Sequence, residues 1–342
     1  MQINTIGLDL AKTVFQVHGV DAAGAAVVRK QLRRVQVIGF FAKLPPCLVG
    51  MEACATAHYW ARELKALGHD VRLIPPSYVK AYVKRGKSDA ADAAAICEAV
   101  GRPSMRFVPV KTAEQQAALM LHRTRDLLIR QRTQLVNALR SHLAELGLVA
   151  QQGRDGVKAL IAGVMDESGT RLPELARTAL AALVAQLAAL AEQIGALERR
   201  LHAEHRGSDA SRRLETVPGI GVIGATAIAA TVTDPSAFRS GREFAAWIGL
   251  VPRQNSTGGK PRLGSISKKG DRYLRRLFIG GAMAVLRHAR AHPERHPWLM
   301  RLLARRPAKV AAVALANKMA RMAWAVLVRG ETYRAPAVVA AA

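Results

Sequence analysis

Four acidic residues near the start of the chain have the surroundings of metal ligands. Asp9 lies in the apolar run I-G-L-D-L and Glu52 ends the apolar run V-G-M-E, so both belong to predicted strands. A buried carboxylate is costly unless a cation or hydrogen-bond donors compensate its charge. Asp89 and Asp92, in K-S-D-A-A-D-A, share one face of the helix that they begin. Together the four supply the oxygen ligands with which Mg²⁺, or Mn²⁺, clamps a phosphodiester.

Each of these acids also has a purely structural explanation. Ser88 is a candidate helix N-cap, which would place Asp89 and Asp92 in the first turn, where acids interact favourably with the helix dipole. Glu52 can be a first-turn acid of the helix that follows it. Taken singly, these explanations are preferred. The ordered set of one acid on a first strand, one on a later strand and a D-x-x-D helix favours a metal centre.

Ser256 is a second candidate for chemistry, because it lies in a glycine-rich segment flanked by cations. These are Lys260, Arg262, Lys268, Lys269, Arg272, Arg275 and Arg276. The segment is not a Walker A loop, since Pro261 follows Lys260 and the G-x-x-x-x-G-K spacing is absent. A serine hydroxyl is a weak nucleophile until a base, cations or a metal stabilise its alkoxide. This chemistry alone favours a phosphate-contacting loop, with a nucleophilic serine as the alternative.

A third segment, L-E-T-V-P-G-I-G-V-I-G-A-T-A-I (214–228), has the pattern of a helix-hairpin-helix motif. Gly219 and Gly221 would let its turn approach a phosphate closely. Backbone N–H groups at the start of the next helix would then hold that phosphate without reading base sequence. The alternative is a helical corner that serves only for packing.

The elements that position these residues predict a multidomain chain, α/β and then all-α. Residues 1–110 begin with three strand-like runs and continue with alternating helices and strands, which is typical of a mixed sheet of the ribonuclease-H type. Residues 111–206 predict a helical hairpin, and 207–334 a second helical domain that contains the hairpin motif and the serine loop. The Ala/Val/Pro-rich tail, 335–342, is predicted to be disordered.

A leucine seam marks the second half of the helical hairpin. It consists of Leu180, Leu183, Leu187, Leu190, Ile194, Leu197 and Leu201, which alternate spacings of three and four residues. The same seam fits an intermolecular coiled coil and the core of an ordinary helical bundle, and the sequence favours neither. The first half, near 113–147, is similarly amphipathic, and G-R-D-G at 153–156 and E-S-G-T at 167–170 are interpreted as the breaks that separate the two halves.

Charge and composition restrict the partners. The 342 residues carry a formal net charge of +26, and residues 206–342 alone carry 24 basic against 7 acidic residues. A single-sign field of this size attracts polyanions, so nucleic acid is the predicted partner. Three cysteines without a C-x-x-C pair exclude a disulfide scaffold and a zinc ribbon. We find no basic leader and no stretch of about 18 uncharged apolar residues, so a cytoplasmic, nucleoid-associated protein without a membrane span is predicted.

These pieces, in this order, resemble the DEDD transposases of insertion-sequence family one-hundred-ten. The resemblance spans nearly the whole chain and rests on five motifs: G-L-D-L-A-K, M-E-A, K-S-D-A-A-D-A, V-P-G-I-G and N-S-T-G-G-K-P-R-L-G-S-I-S-K-K-G-D-R-Y-L-R. It implies an N-terminal RuvC-like domain whose metal ligands are Asp9, Glu52, Asp89 and Asp92. It also implies a C-terminal transposase domain in which Ser256 is the nucleophile, reversing the preference that the loop chemistry gives alone.

The resemblance further implies a reaction and its partners. Ser256 would attack a DNA phosphodiester to form a phosphoserine intermediate, and strands would be exchanged by transesterification without a nucleotide cofactor. A structured non-coding RNA would choose the DNA sites within a synapse of two to four copies of the chain. Thr257 stands where many relatives have glycine, but threonine is the bulkier and poorer nucleophile. A DNA invertase of the same family, a metal-dependent junction nuclease and a non-catalytic binding protein are the rival hypotheses.

Overall fold

A computed structural model describes residues 2–83, 88–166 and 172–335. Its contacts divide the chain into two units, 1–116 and 117–342, and we describe each by itself. The division into segments 1–110, 111–206 and 207–334 remains a prediction. The tail predicted to be disordered lies, from residue 336 onwards, outside the described residues.

The first unit is built on a five-stranded mixed sheet. Its strands are β1 (Thr5–Asp9), β2 (Val14–Val20), β3 (Ala26–Arg33), β4 (Leu48–Glu52) and β5 (Asp70–Ile74), in the spatial order β3-β2-β1-β4-β5. β1, β2 and β3 form an antiparallel meander, whereas β4 and β5 run parallel to β1. The helices are α1 (Val37–Phe41), α2 (Ala57–Ala66), α3 (Pro76–Val79) and α4 (Asp89–Val100). The mixed α/β sheet predicted from sequence is therefore confirmed.

Two glycines bring α4 close to the centre of this sheet. Gly7 on β1 and Gly50 on β4 are register partners. A Cβ at Gly7 would lie 2.0 Å from the carbonyl oxygen of Ala93, and one at Gly50 would lie 2.7 Å from Cβ of Val100. The helix backbone thus rests almost directly on the strands. The two glycines thereby fix the height of α4 above β1 and β4.

We expect Gly7→Ala to destabilise the first unit by about 3 kcal/mol, because overpacking a rigid backbone contact costs on this order. The methyl group has to displace the backbone of α4, which no side-chain rotation can avoid. The measurement is urea unfolding followed by circular dichroism. Gly19→Ala on β2 is the matched control, since its nearest neighbours lie at an ordinary 3.4 Å. Equal unfolding midpoints for the two variants would contradict the close packing.

The second unit begins with a helical arm. It consists of α5 (Ala113–Glu145), whose first turn still belongs to the first unit, α6 (Arg154–Met165) and α7 (Glu174–Gly207). Leu139 and Leu143 of α5 pack with Leu180 and Leu187 of α7. The opposite ends of the two helices are joined by an ion pair of 2.5 Å between Arg125 and Glu198. These contacts show that α5 and α7 run antiparallel to each other.

The leucine seam is used within the chain itself. Leu160 and Val164 of α6 complete the core to which Leu180 and Leu187 contribute. G-R-D-G lies at the end of the interruption between α5 and α6: Gly153, at φ +103°, is the N-cap of α6, and Arg154 already begins the helix. An intermolecular coiled coil remains untested. The predicted break at 167–170 lies outside the described residues.

The remainder of the second unit is mostly helical around one apolar core. Its helices are α8 (Asp209–Glu215), α9 (Val222–Thr231), α10 (Gly241–Ile248), α11 (Arg272–Ala291), α12 (Pro297–Leu303) and α13 (Ala308–Arg329), and its two strands are β6 (Pro252–Gln254) and β7 (Leu263–Ile266). Phe244, Phe278 and Met319 lie at the centre of the core. The strands β6 and β7 interrupt the helices between α10 and α11.

Helices α7 and α13 are long and apolar enough, by length and composition, to cross a membrane. Both helices place apolar residues in protein cores. Leu180 and Leu187 of α7 are buried against α5 and α6, and Ala316 and Ala320 of α13 are fully buried. Because core helices pass the same test, this composition is weak evidence for a membrane span.

Candidate functional site

The first candidate site forms where β1 ends and α4 begins. Asp9 is the last residue of β1. The contact of Gly7 with Ala93, and a hydrogen bond of 3.7 Å from Sγ of Cys97 to the carbonyl of Thr5, show that α4 runs antiparallel to β1. The first turn of α4 therefore lies beside the carboxyl end of the strand. Carboxylate oxygens of Asp9, Asp89 and Asp92 lie within 4.8 Å of one another.

Glu52 approaches the same cluster from the neighbouring strand. It is the last residue of β4, and the parallel register pairs Leu8 with Met51, so Asp9 and Glu52 follow at the same edge of the sheet. The negative charge of Glu52 contributes to the raised pKa of Asp9. The three-carboxylate cluster itself is formed by Asp9, Asp89 and Asp92, and Glu52 adds its charge at the edge of this group.

Electrostatics show that the four carboxylates repel one another. Burial, followed by the charges of Asp92, Asp89 and Glu52, raises the pKa of Asp9 to about 6, against a lowering by the Leu10 backbone N–H. Burial and the charge of Asp92 also raise the pKa of Glu52. A divalent cation would relieve this repulsion, because an opposite charge favours the ionised form of each carboxylate. Hard oxygen ligands are also those that Mg²⁺ prefers.

The structural explanation of the helix acids holds as well. Oγ of Ser88 accepts a hydrogen bond of 3.2 Å from the N–H of Ala91, so Ser88 is the N-cap of α4. Asp89 and Asp92 occupy the first turn, as that explanation requires. Capping and clustering do not compete, since the capped helix start is what holds both acids beside Asp9.

Ser256 lies near the tip of a β-hairpin. Strands β6 and β7 are antiparallel, and the N–H of Asn255 donates a 2.8 Å hydrogen bond to the carbonyl of Arg262. Thr257 and Lys260 close the turn around Gly258 and Gly259, which have φ of +54° and +75°. Two successive positive φ values are the signature of a type I′ turn, which needs glycine or a similarly permissive residue. Ser256 is thus held directly beside a tight turn.

The hydroxyl of Ser256 has a defined local environment. Its Oγ accepts a hydrogen bond of 3.1 Å from the backbone N–H of Arg262, the residue that precedes β7. A fixed N–H dipole aimed at the oxygen stabilises negative charge that develops there. Ser256 is half-buried, whereas Lys260 and Arg262 beside it are exposed.

The base of the hairpin is locked to the core by close backbone contacts. A Cβ at Gly249 would lie 2.1 Å from the carbonyl oxygen of Lys269, and one at Gly270 would lie 1.8 Å from that of Trp247. Nη1 of Arg275 donates hydrogen bonds to the carbonyls of Ile248 and Lys269, at 2.7 and 3.0 Å. The hairpin therefore starts from a rigid junction between α10 and α11.

The cations predicted to bind nucleic acid fall into different environments. Lys268, Lys269 and Arg272 are exposed, as are Lys260 and Arg262 on the hairpin. Arg276 is exposed and pairs with Asp126 of α5. Arg275 is different, because it is buried and its guanidinium bonds backbone carbonyls. Arg275 therefore stabilises the base of the hairpin through these hydrogen bonds.

The helical hairpin at 214–228 consists of α8, a turn and α9. Gly219, at φ +88°, faces inward: a Cβ there would lie 2.8 Å from Met319 and from Val285. Gly221 is the N-cap residue of α9, and nothing lies within 4 Å of the position of its missing Cβ. The packing role of Gly219 is thus visible, while Gly221 leaves the helix start open. Phosphate binding at this turn remains a prediction.

Comparisons with known proteins agree with both halves of the chain. Residues 6–147 match a family model of DEDD transposases, and residues 211–297 match a model described as "Transposase IS116/IS110/IS902 family". The chain is 56% identical, over 98% of its length and 99% of the relative's, to a protein of Pseudomonas aeruginosa named "Probable family 20 transposase". It is 42% identical to the transposase for insertion sequence element IS1328 of Yersinia enterocolitica, covering 97% of this chain and 98% of that one. It is 40% identical to the transposase for IS1111A of Coxiella burnetii, covering 97% and 92%.

The fold, the acidic cluster and these matches define an enzyme class, the DNA transposases. Within that class, the chain belongs to the IS116/IS110/IS902 family. The DEDD domain implies a ribonuclease-H-like fold for the mixed sheet and indicates use of a divalent metal at the acidic cluster. The transposase class predicted from sequence is confirmed.

Proposed function

We propose that this transposase cleaves and rejoins DNA through a phosphoserine intermediate, with Mg²⁺ held by Asp9, Glu52, Asp89 and Asp92 and with Ser256 as the nucleophile. The observation that carries the proposal is that carboxylate oxygens of Asp9, Asp89 and Asp92 lie within 4.8 Å of one another. A bound cation would relieve the repulsion between these negative charges. Mn²⁺ has the same ligand preferences and would substitute.

The chemistry divides between the chain's own groups. Bound Mg²⁺ would supply Lewis-acid stabilisation of charge on the phosphoryl oxygens. Oγ of Ser256 forms the bond to phosphorus as the O–P bond to the DNA leaving group breaks, and its proton passes to solvent or to that leaving oxygen. The Arg262 N–H stabilises charge on Oγ. Exposed Lys260, Lys268 and Lys269 neutralise neighbouring phosphates.

The family resemblance supports the remaining partners. A structured guide RNA would select the DNA ends and target by base pairing, within a homo-oligomer of two to four chains. The predicted coiled coil and the helix-hairpin-helix contact at Gly221 belong to this assembly. An invertase role would use the same chemistry, and inverted recombination sites beside the gene, in place of the ends of a mobile element, would indicate it.

A metal-dependent nuclease is the second candidate, in which Ser256 only holds phosphate. One observation favours it: among the described residues, no acidic or histidine side chain is hydrogen-bonded to Ser256 to act as its base. In that case water would attack the phosphodiester, and cleavage would leave free ends without a protein adduct.

Metal removal tests the proposal as a whole. The protein is expressed with its native flanking DNA and the RNA transcribed from it, and covalent protein–DNA adducts are scored on denaturing gels. We expect EDTA to abolish adducts and Mg²⁺ or Mn²⁺ to restore them, whereas Ca²⁺ restores DNA binding without cleavage. Adducts that persist at full yield in EDTA would refute a metal-dependent reaction.

A further inference from the structure

A polar groove runs along the face of the sheet on which α4 lies. On β2, Phe15 and Val17 are fully buried in the apolar core. Gln16 and His18 alternate with them and so point to the other face, beside α4. The helix covers β1 and β4 through Gly7 and Gly50, which leaves the β2–β3 part of this face lined by polar side chains.

The groove has two adjoining cavities of about 530 and 220 Å³. Both are lined by His18 and Arg29 from the strands and by Ala91 and Ala94 from α4. Their volumes lie near the roughly 300–1,000 Å³ range of sites for small organic ligands. The alanines give one wall without protruding side chains, against which a flat ring or a sugar can lie.

The groove begins at the carboxylate cluster. Gln16 lines the smaller cavity and is the register partner of Asp9 across β1 and β2. Ala91 and Ala94 flank Asp92 on α4. A strand whose phosphodiester is held at Asp9 and Asp92 would therefore extend its next nucleotide towards this groove.

Gln16 presents a side-chain amide to the groove. It is 9% exposed, and its side-chain amide has no hydrogen-bond partner among the described residues. The amide is not among the fully buried polar atoms that lack a partner in the described part of the chain, so it faces the open groove, where a ligand can replace water. An amide offers both donors and an acceptor, so it can bind a base edge or a sugar oxygen.

A cation stands at the open side of the groove. Arg29 on β3 pairs with His18 in register, is exposed, and makes no ion pair among the described residues. Glu98 also lines the larger cavity but is already paired with Arg102 at 2.5 Å. The charge available to a ligand is therefore positive, and a guanidinium suits phosphate.

We propose that this groove binds the nucleotide adjoining the cleaved DNA phosphodiester, with Gln16 hydrogen-bonded to its base or sugar and Arg29 to the next phosphate. The inference rests on the proposed function, because it takes the carboxylate cluster as the place of cleavage. The occupant is a DNA strand rather than a free metabolite, because the groove opens towards that cluster.

Position-specific cross-linking in the full-length protein tests this assignment. Tyr82, which lines the larger cavity, is replaced by p-azidophenylalanine, and labelled single-stranded oligothymidine is irradiated with the protein in Ca²⁺, which is expected to support DNA binding without cleavage. We expect an adduct at this position. The same azide at exposed Tyr59, on α2, reports background labelling.

Substitutions in the groove decide the outcome. Arg29→Ala should lower the cross-linking yield about tenfold, the loss expected for one charge-assisted contact. Ala94→Leu keeps a good helix former but fills the groove, and it should lower the yield by about the same factor. Lys30→Ala removes the same charge from the opposite face of β3 and should leave the yield unchanged. Three results would overturn the DNA assignment. The cross-linking yield at Tyr82 could equal the yield at Tyr59, it could be unchanged by Ala94→Leu, or it could be higher with oligouridine than with oligothymidine.

The same proteins separate this inference from the proposed function. If Tyr82 cross-links while Asp9→Asn still cleaves DNA with Mg²⁺, the groove binds DNA but the metal site is wrong, and the link to cleavage fails. If Asp9→Asn is inactive and Tyr82 does not cross-link, the groove is refuted and the metal site stands.

Discussion

Ser256→Ala should eliminate the covalent protein–DNA adduct, whereas Thr257→Ala should retain it. The Ser256 hydroxyl accepts the hydrogen bond from the Arg262 N–H. Thr257 begins the turn, and its backbone carbonyl accepts a hydrogen bond from the N–H of Lys260. Without the nucleophile, we expect adduct yield to fall by about 10³-fold or more, because the covalent route is lost and not merely weakened. The measurement is denaturing gel electrophoresis of labelled DNA, followed by mass spectrometry of the nuclease-trimmed peptide.

Thr257→Ala is a closely matched control, since it removes a neighbouring hydroxyl from the same hairpin. Adducts that survive in Ser256→Ala but vanish in Thr257→Ala would move the nucleophile by one residue. Hydrolysed DNA ends with Ser256→Ala, and no adduct with the wild-type chain, would instead favour the nuclease. DNA binding should persist in both variants, because the exposed cations around the loop are unchanged.

The order of elements in the first unit could be predicted from local patterns. The β1–β3 meander and the strands ending at Glu52 and Ile74 follow from apolar runs bounded by turn residues. The packing of α4 could not be predicted in this way. It depends on Gly7 meeting Ala93, two residues far apart in sequence, and a glycine in a strand has several possible causes.

The serine segment shows a different limit. Its glycine-rich, polar composition predicts a loop, whereas the structure has a hairpin whose turn is Gly258–Gly259. Two adjacent glycines between short extended runs are a known hairpin signal and could have found it. The cations beside it look alike in sequence, but Arg275 is buried and Arg272 is exposed. That difference arises from the fold around α10, which composition does not report.

Helix α6 was missed for a related reason. Gly153 and Gly156 flank its start, and glycines are ordinarily helix breakers. In the structure Gly153 has a positive φ directly before the helix. At Gly156 there is no room for a side chain, because a Cβ on this residue would lie 1.7 Å from the carbonyl oxygen of Gln151. Both glycines are therefore required by the turn, and the apolar spacing of Leu160 and Val164 was the better signal.

Asp9→Asn should abolish DNA cleavage and, at the same time, stabilise the metal-free protein. Loss of one carboxylate from the cluster removes several kcal/mol of charge stabilisation, so we expect cleavage to fall by about 10³-fold. Stability should change in the opposite direction. The folded-state pKa of Asp9, about 6, lies above its ordinary 3.8, so ionising Asp9 costs folding free energy as pH rises through that interval.

The stability change has a defined pH dependence. Below about pH 3.8 the Asp9 carboxyl is neutral in both states and the two proteins should melt alike, whereas above pH 6 the metal-free wild-type protein should melt lower than Asp9→Asn. Mg²⁺ competes with the proton, so its affinity for the wild-type site should rise with pH up to about 6 and then level off. Thermal melts with and without Mg²⁺ measure both effects.

Asp70→Asn, on β5 at the opposite edge of the sheet, removes the same charge and should show neither effect. If Mg²⁺ does not change the wild-type melting temperature at pH 8, the carboxylates do not form a cation site. If Asp9→Asn melts at a lower temperature than the wild-type protein in EDTA, the carboxylates are not held in mutual repulsion.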